Sequence, residues 1–177
     1  GTWRGWPHHD RSRPRDRPLG MEARGRRRRY EVSEGRRKAQ GLGPRGGDEI
    51  NIPQAGKNYG WPKASYGSHY SGIPIKDEHA EQGFAEPIYF WTPSIAPSGM
   101  MFYTGDQFPT WRGNLFIGAL AGQHVVRLSA DDKKILGEEQ LVKQMARFRD
   151  IEQGPDGALY LLTDEDNGKL LKITPKH

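Results

Sequence analysis

The sequence predicts an all-β fold over most of its length, on three observations. Short runs rich in β-branched and aromatic residues follow one another closely, Gly, Pro, Asn and Asp gather between them, and two strand pairs repeat about 44 residues apart.

The strands are expected, in order, at Ile88–Trp91, Gly99–Tyr103, Leu115–Ile117, Val125–Leu128, Leu159–Leu162 and Leu170–Ile173. Turn chemistry separates them. In Gly154-Pro155-Asp156-Gly157, proline presets φ and glycine tolerates positive φ, and Asp166-Asn167-Gly168 is a hairpin signal. The only helical piece for which there is room lies near Glu138 to Lys143. The repeat sets Gly113-Asn114-Leu115-Phe116-Ile117, followed by Val125–Leu128, against Gly157-Ala158-Leu159-Tyr160-Leu161, followed by Leu170–Ile173. A period of 40 to 50 residues with several strands per unit is that of a propeller blade, although two copies alone leave a sandwich open.

Composition divides the chain. Residues 1–47 carry 14 Lys+Arg against 5 Asp+Glu, whereas residues 48–177 carry 13 against 17, so the net charge of +5 is an average over two unlike parts. From Gly1 to about Leu42 the chain is Arg, Gly and Pro with isolated Trp, His and Glu, a composition that cannot bury a core. The run Arg26–Arg29 suits phosphate binding, a disordered basic tail or an out-of-frame segment, and the abrupt change at Gly43 favours the last. The domain expectation is therefore a segment 1–42 that is disordered or irregular, followed by a β region 43–177. Cysteine is absent, which excludes disulfides and thiolate metal sites. No run of about 18 apolar residues offers a membrane span, and no signal peptide is visible in this chain.

The densest polar constellation is Gly43-Pro44-Arg45-Gly46-Gly47-Asp48-Glu49-Ile50-Asn51, followed by Gly56-Lys57-Asn58-Tyr59-Gly60-Trp61-Pro62. A glycine-rich turn exposes carbonyls beside two carboxylates, the hard oxygen donors that Ca²⁺ prefers, but a solvated acidic turn has the same composition. Arg147-Phe148-Arg149-Asp150 places two guanidinium groups on one side of a strand, where they could converge on one anion or simply face solvent. Asp150 is their natural orienting partner, or equally makes a plain surface ion pair. The six histidines, including His79 and His124, read as surface or loop residues.

Taken in order, GPRGGDEINIP, KNYGWP, SIAPSGM, LFIGAL, RFRD and GPDGALYLLTDEDNGKLLKI resemble the soluble pyrroloquinoline-quinone (PQQ)-dependent aldose and sorbosone dehydrogenases, over about residues 43–177. The resemblance implies part of a six-bladed β-propeller, exported to the periplasm or secreted, that oxidises a sugar hydroxyl with PQQ and Ca²⁺. It implies that the Glu49 side chain and the Tyr59 carbonyl hold a structural Ca²⁺, and that the Gly43 and Pro44 carbonyls face the Ca²⁺ on PQQ. Arg147, Phe148 and Arg149 would contact the cofactor, with Ala119, Leu120 and Ala121 as another wall and Tyr89 as a nearby aromatic. Ala121 stands where several relatives carry a lysine. The family's catalytic histidine and an upstream Arg-Asn contact have no counterpart in this chain. The expected partners are an aldose sugar and an external electron acceptor, with neither nucleic acid nor membrane; the oligomeric state is not set. A piece without the base is expected to be inactive alone, and the alternative is a non-catalytic calcium-binding fragment acting through its open edges.

Overall fold

The structure is a computed structural model that describes residues 20–24, 29–33, 46–61, 63–68, 73–75, 78–131 and 134–176, the first two segments as backbone only. Gly43 and Pro44 lie outside the described residues, as does most of segment 1–42.

Among the described residues eleven strands form three antiparallel sheets. The first holds β1 (Gly20–Arg24), β2 (Arg29–Ser33), β3 (Asp48–Asn51) and β4 (Tyr89–Trp91), side by side in chain order. The second holds β5 (Pro97–Phe102), β6 (Leu115–Ala119), β7 (His124–Ala130) and β8 (Ile135–Leu141), and the third β9 (Phe148–Gln153), β10 (Leu159–Thr163) and β11 (Leu170–Ile173). The leading strand β5 neighbours the leading strands β1 and β9 on its two sides. The sheets therefore fan out from a common inner edge, and the fold is a partial β-propeller of three blades.

The middle blade shows why strand alternation builds this shape. In β6 every residue is buried, because Leu115, Ile117 and Ala119 pack toward Ile50 and Trp91 of the first blade, while Phe116 packs toward Phe148, Ile151, Leu159 and Leu161 of the third. Two faces with two apolar cores read as one continuous apolar run. The repeated glycine is also explained: Gly113 and Gly157 precede β6 and β10 at φ +81° and +78°, a left-handed conformation that side chains disfavour.

Three features differ from expectation. Glu138 to Leu141 is strand β8 rather than helix: its Glu and Gln favour helices in isolation, but this is an exposed outer strand whose Glu139 lies opposite Arg127 and pairs with it at 2.6 Å. Strands β1 and β2 fall inside the arginine-rich stretch. There Met-Glu-Ala-Arg and Tyr-Glu-Val-Ser alternate over only four positions each, too few to stand out among the arginines. Finally, His79 and His124 are buried, at 0% and 6% exposure, rather than on the surface, although His79 does lie in a turn between strands. His79 stacks under Tyr66 with the ring centroids 5.1 Å apart, and His124 lies beneath its own hairpin turn, Nδ1 2.7 Å from the Gly122 carbonyl.

Candidate functional site

Arg147 and Arg149 flank the start of β9, with Phe148 between them pointing the opposite way. Both guanidinium groups converge on one carboxylate. Arg147 donates from Nε and Nη2 to Asp164 Oδ2 at 3.2 and 3.0 Å, and Arg149 from Nε and Nη2 to Asp164 Oδ1 at 3.1 and 2.9 Å. Asp164, which immediately follows β10, is brought here because Thr163 pairs with Phe148 and because the Asp164 N–H donates to the Arg147 carbonyl at 2.7 Å. The Arg149 and Arg147 hydrogen bonds hold the Asp164 carboxyl below its ordinary pKa. The arginines keep side-chain exposures of 43% and 51%, so their outer N–H groups are open to a ligand. Asp150, expected as their partner, instead accepts from the Ile151 N–H and lies against Gly99, where a Cβ would overlap its carboxylate.

The Phe148 side chain is fully buried in the core between the second and third blades. Its carbonyl accepts from the Ser98 hydroxyl at 2.6 Å, and Gly118 approaches so closely that a Cβ there would lie 2.6 Å from that hydroxyl. Ser98, Gly118 and Phe148 thus bring three segments to one rim. The turn after β6 continues it: the Leu120 N–H donates to the Ala96 carbonyl at 2.9 Å and the Ala121 N–H to the Ile95 carbonyl at 3.0 Å. Ala119 and Leu120 are buried, whereas Ala121 is exposed. The structure therefore joins Ala119, Leu120 and Ala121 to the rim that carries Arg147 and Arg149. It does not bring Tyr89 there. Tyr89 lies on β4, three strands outward from β1 or roughly 14 Å at the usual strand spacing, and its hydroxyl donates to Glu138 of β8 at 2.8 Å.

Asp48 and Glu49 are neighbours on a strand and so face opposite ways. Asp48 Oδ2 accepts from the Ser94 hydroxyl at 2.6 Å and from the Ile95 and Ala96 N–H groups at 3.0 and 3.2 Å. It thereby holds Ala96 at φ +49°, a strained value for alanine, in the same loop that receives Leu120 and Ala121. Just before it, Gly47 sits at φ +76° where a Cβ would meet the Gly67 nitrogen at 2.5 Å, so only glycine lets these two backbones touch.

The Glu49 side chain is buried at a separate place. Burial, the largest cause, pushes its carboxyl up to about 7 against a lowering hydrogen bond from Asn51, and Glu86 and Asp48 raise it further. Asn51 lies two residues on along the same face, with Nδ2 3.4 Å from Glu49 Oε2, and His79 Nε2 is 3.7 Å from Glu49 Oε1. Gly60 covers His79 so closely that a Cβ would lie 3.0 Å from the ring, which sets the Tyr59–Gly60 backbone beside the pocket; the Tyr59 hydroxyl is used elsewhere, donating to the Ile52 carbonyl at 2.7 Å. Asn51 Oδ1 and both His79 ring nitrogens are buried without a hydrogen-bond partner among the described residues. A buried carboxylate beside an unpartnered amide oxygen fits a hard divalent cation. Among the described residues no three His, Cys, Asp or Glu side chains cluster as a metal site, so main-chain and amide oxygens would complete the shell.

A β-propeller with an oriented arginine pair on its inner rim defines the class, and the comparisons assign it. The family model described as Glucose / Sorbosone dehydrogenase matches residues 30–172, and the chain belongs to this family. It is similar to the aldose sugar dehydrogenase YliI of Escherichia coli K12, with 49% identity over 138 residues, covering 76% of this chain and 37% of that protein. It is also similar to quinoprotein glucose dehydrogenase B of Acinetobacter calcoaceticus, with 26% identity over 206 residues, covering 76% of this chain and 43% of that protein. A crystal structure of a glucose dehydrogenase superposes with a TM-score of 0.75 at 46% identity, covering 84% of this chain and 42% of that one. The chain thus spans about two fifths of the length of these relatives. Among the described residues no helix is long and apolar enough to cross a membrane.

The residues that sequence reasoning missed are Asp164, Asn51 and His79. Asp164 was reachable once the β9–β10 register was known, since the residue after Thr163 must lie beside Arg147.

Proposed function

We propose that this chain forms the calcium-binding and cofactor-binding side of a PQQ-dependent sugar dehydrogenase, which oxidises an aldose hydroxyl to a lactone or carbonyl. The observation that carries this reading is the pair Arg147 and Arg149, oriented by one carboxylate and open on the outer side. PQQ is a tricarboxylate, and guanidinium forks match carboxylates in both charge and shape. When bound, it supplies the quinone that accepts hydride from the sugar.

The chain's own residues would do the rest. Arg147 and Arg149 neutralise cofactor carboxylates, and the Ala119–Ala121 turn closes one wall with backbone and methyl groups, leaving room where a lysine would otherwise project. Glu49 and the Tyr59 carbonyl hold Ca²⁺ and tie β3 to the loop that follows it. The Gly43 and Pro44 carbonyls belong to the same reading through the family resemblance. Neither buried histidine is exposed to take a sugar proton: His79 lies beside Glu49, and His124, opposite Ala119 at the end of the rim, is buried beneath the Gly122 turn. In this reading the base lies outside the described residues, and an external electron acceptor would be the second substrate. A periplasmic or secreted location goes with this reading.

The test is a dye-reduction assay with PQQ, Ca²⁺ and glucose, run alongside a PQQ-binding titration by fluorescence quenching. The expected result is PQQ binding without turnover by this chain alone. Turnover would place a base within the chain, and an absence of PQQ binding would sink the cofactor reading. A second reading, a non-catalytic calcium-binding fragment, is favoured by the Glu49 pocket alone, since one blade and its loop build it. Ca²⁺ binding without PQQ affinity would support it.

A further inference from the structure

Among the described residues three buried polar atoms around Glu49 have no hydrogen-bond partner: Asn51 Oδ1 and the two ring nitrogens of His79. Asn51 is 3% exposed, so water does not reach its amide from outside. Its only described side-chain hydrogen bond is the long one from Nδ2 to Glu49 Oε2, at 3.4 Å. Turning the amide over does not relieve the problem. One orientation strands a buried carbonyl oxygen, and the other sets that oxygen against the Glu49 carboxylate whenever it is ionised. Either arrangement is unfavourable when uncompensated. A cation between the two side chains satisfies both oxygens at once.

The strand geometry is suited to this. Asn51 and Glu49 are residues i+2 and i on β3, so their side chains leave the same face. The strand is fixed by pairing on both sides, Asn51 opposite Glu31 of β2 and Glu49 opposite Phe90 of β4. Tyr66 stacks on both Phe90 and His79, at 4.1 and 5.1 Å, and closes the pocket with aromatic surface. Oxygen donors outnumber nitrogen donors here, which favours a hard ion over zinc.

We propose that the side-chain oxygen of Asn51 is a direct ligand of the cation that Glu49 and the Tyr59 carbonyl hold, giving the pocket three protein oxygens. This rests on the metal reading above and adds a ligand to it. It also assigns His79 to the pocket wall, within reach of the Glu49 carboxylate but not as a ligand.

Terbium in place of calcium provides a readout independent of activity. The full chain is titrated with Tb³⁺, aromatic-sensitised luminescence gives affinity, and decay rates in H₂O and D₂O count bound waters. Asn51→Ala is expected to weaken binding at least about tenfold and to admit one further water. Asn51→Asp, nearly isosteric, keeps the ligand and is expected to bind as tightly or more tightly with an unchanged water count. If Asn51 serves only as a hydrogen-bond donor to Glu49, Asn51→Asp weakens binding by repulsion and Asn51→Ala leaves the water count unaltered; either result overturns the proposal. Glu49→Gln separates the two levels. Loss of binding in that variant together with an unaffected Asn51→Ala means a metal site without Asn51, whereas Tb³⁺ binding that ignores Glu49→Gln, or no binding to the unaltered chain, removes the metal reading and this ligand together.

Discussion

Arg149 places two of its N–H groups on a single oxygen of Asp164, at 3.1 and 2.9 Å, and leaves the other carboxylate oxygen to Arg147. One carboxylate therefore sets the direction of two guanidinium planes. Simple electrostatics and preorganisation make opposite predictions for its removal. Asp164→Asn deletes a negative charge near an anion site, which would tighten anion binding, but it also frees two long side chains to rotate. We expect the second effect to win, with PQQ affinity falling about tenfold in a quenching titration and Arg147→Ala or Arg149→Ala each costing about 10- to 100-fold. Tighter binding by Asp164→Asn would show that the carboxylate merely competes with the ligand.

The same carboxylate has a pH consequence, shared with Asp156. Hydrogen bonding to Lys172, and then to the Ala158 N–H, holds Asp156 down at about 2, and Asp164 is lowered by Arg149 and Arg147. A carboxyl whose folded pKa lies below its unfolded value of about 3.9 adds stability above that value and loses it as pH falls through the folded pKa. Acid unfolding followed by circular dichroism should therefore show stability falling between about pH 4 and pH 2. In Asp156→Asn that part of the acid limb should flatten, and an unchanged limb would assign the acid sensitivity to other groups.

Much of the fold was legible because alternation and turn chemistry are local. Leu115–Ile117 and Leu159–Leu162 announce strands, and Gly113 and Gly157 mark equivalent points of two blades. The exceptions have physical causes. Ile135–Leu141 is an outer strand that needs little apolar surface, so its Glu138, Glu139 and Gln140 look helical. The arginine pair was legible as strand geometry, but its partner depended on the Thr163–Phe148 register, which no local pattern encodes. His79 and Asn51 were invisible for a similar reason: their burial comes from the loop carrying Tyr66 folding back over β3.

Asp48 should be a stability residue rather than a metal ligand. Its buried carboxylate accepts from Ser94, Ile95 and Ala96, and these bonds hold the strained Ala96. Asp48→Ala leaves two buried N–H groups without that acceptor, and hydrogen bonds to a charged group are worth about 1.5 to 3 kcal/mol. We expect a loss of about 3 kcal/mol or more in urea unfolding, with no direct effect on the cation count at Glu49. Loss of Tb³⁺ binding at full folding would show that Asp48 reaches the metal after all.

Phe148 is the residue for which a cofactor role and a packing role can be separated most cleanly. It sits between Arg147 and Arg149, yet alternation turns its ring into the core beside Tyr103, Phe116, Leu159 and Leu161, where it has no exposure. Its backbone carbonyl, the acceptor for Ser98, is unaffected by side-chain changes. Phe148→Ala would open a cavity between the second and third blades and should cost about 3 to 5 kcal/mol. Phe148→Leu keeps most of the volume and should cost less than about 1.5 kcal/mol. Because the ring points away from the arginines, Phe148→Leu should retain PQQ affinity within a factor of about two, provided Arg147 and Arg149 remain clamped. A large loss of affinity in a well-folded Phe148→Leu chain would mean that the ring contacts the cofactor directly, contrary to its position in the core.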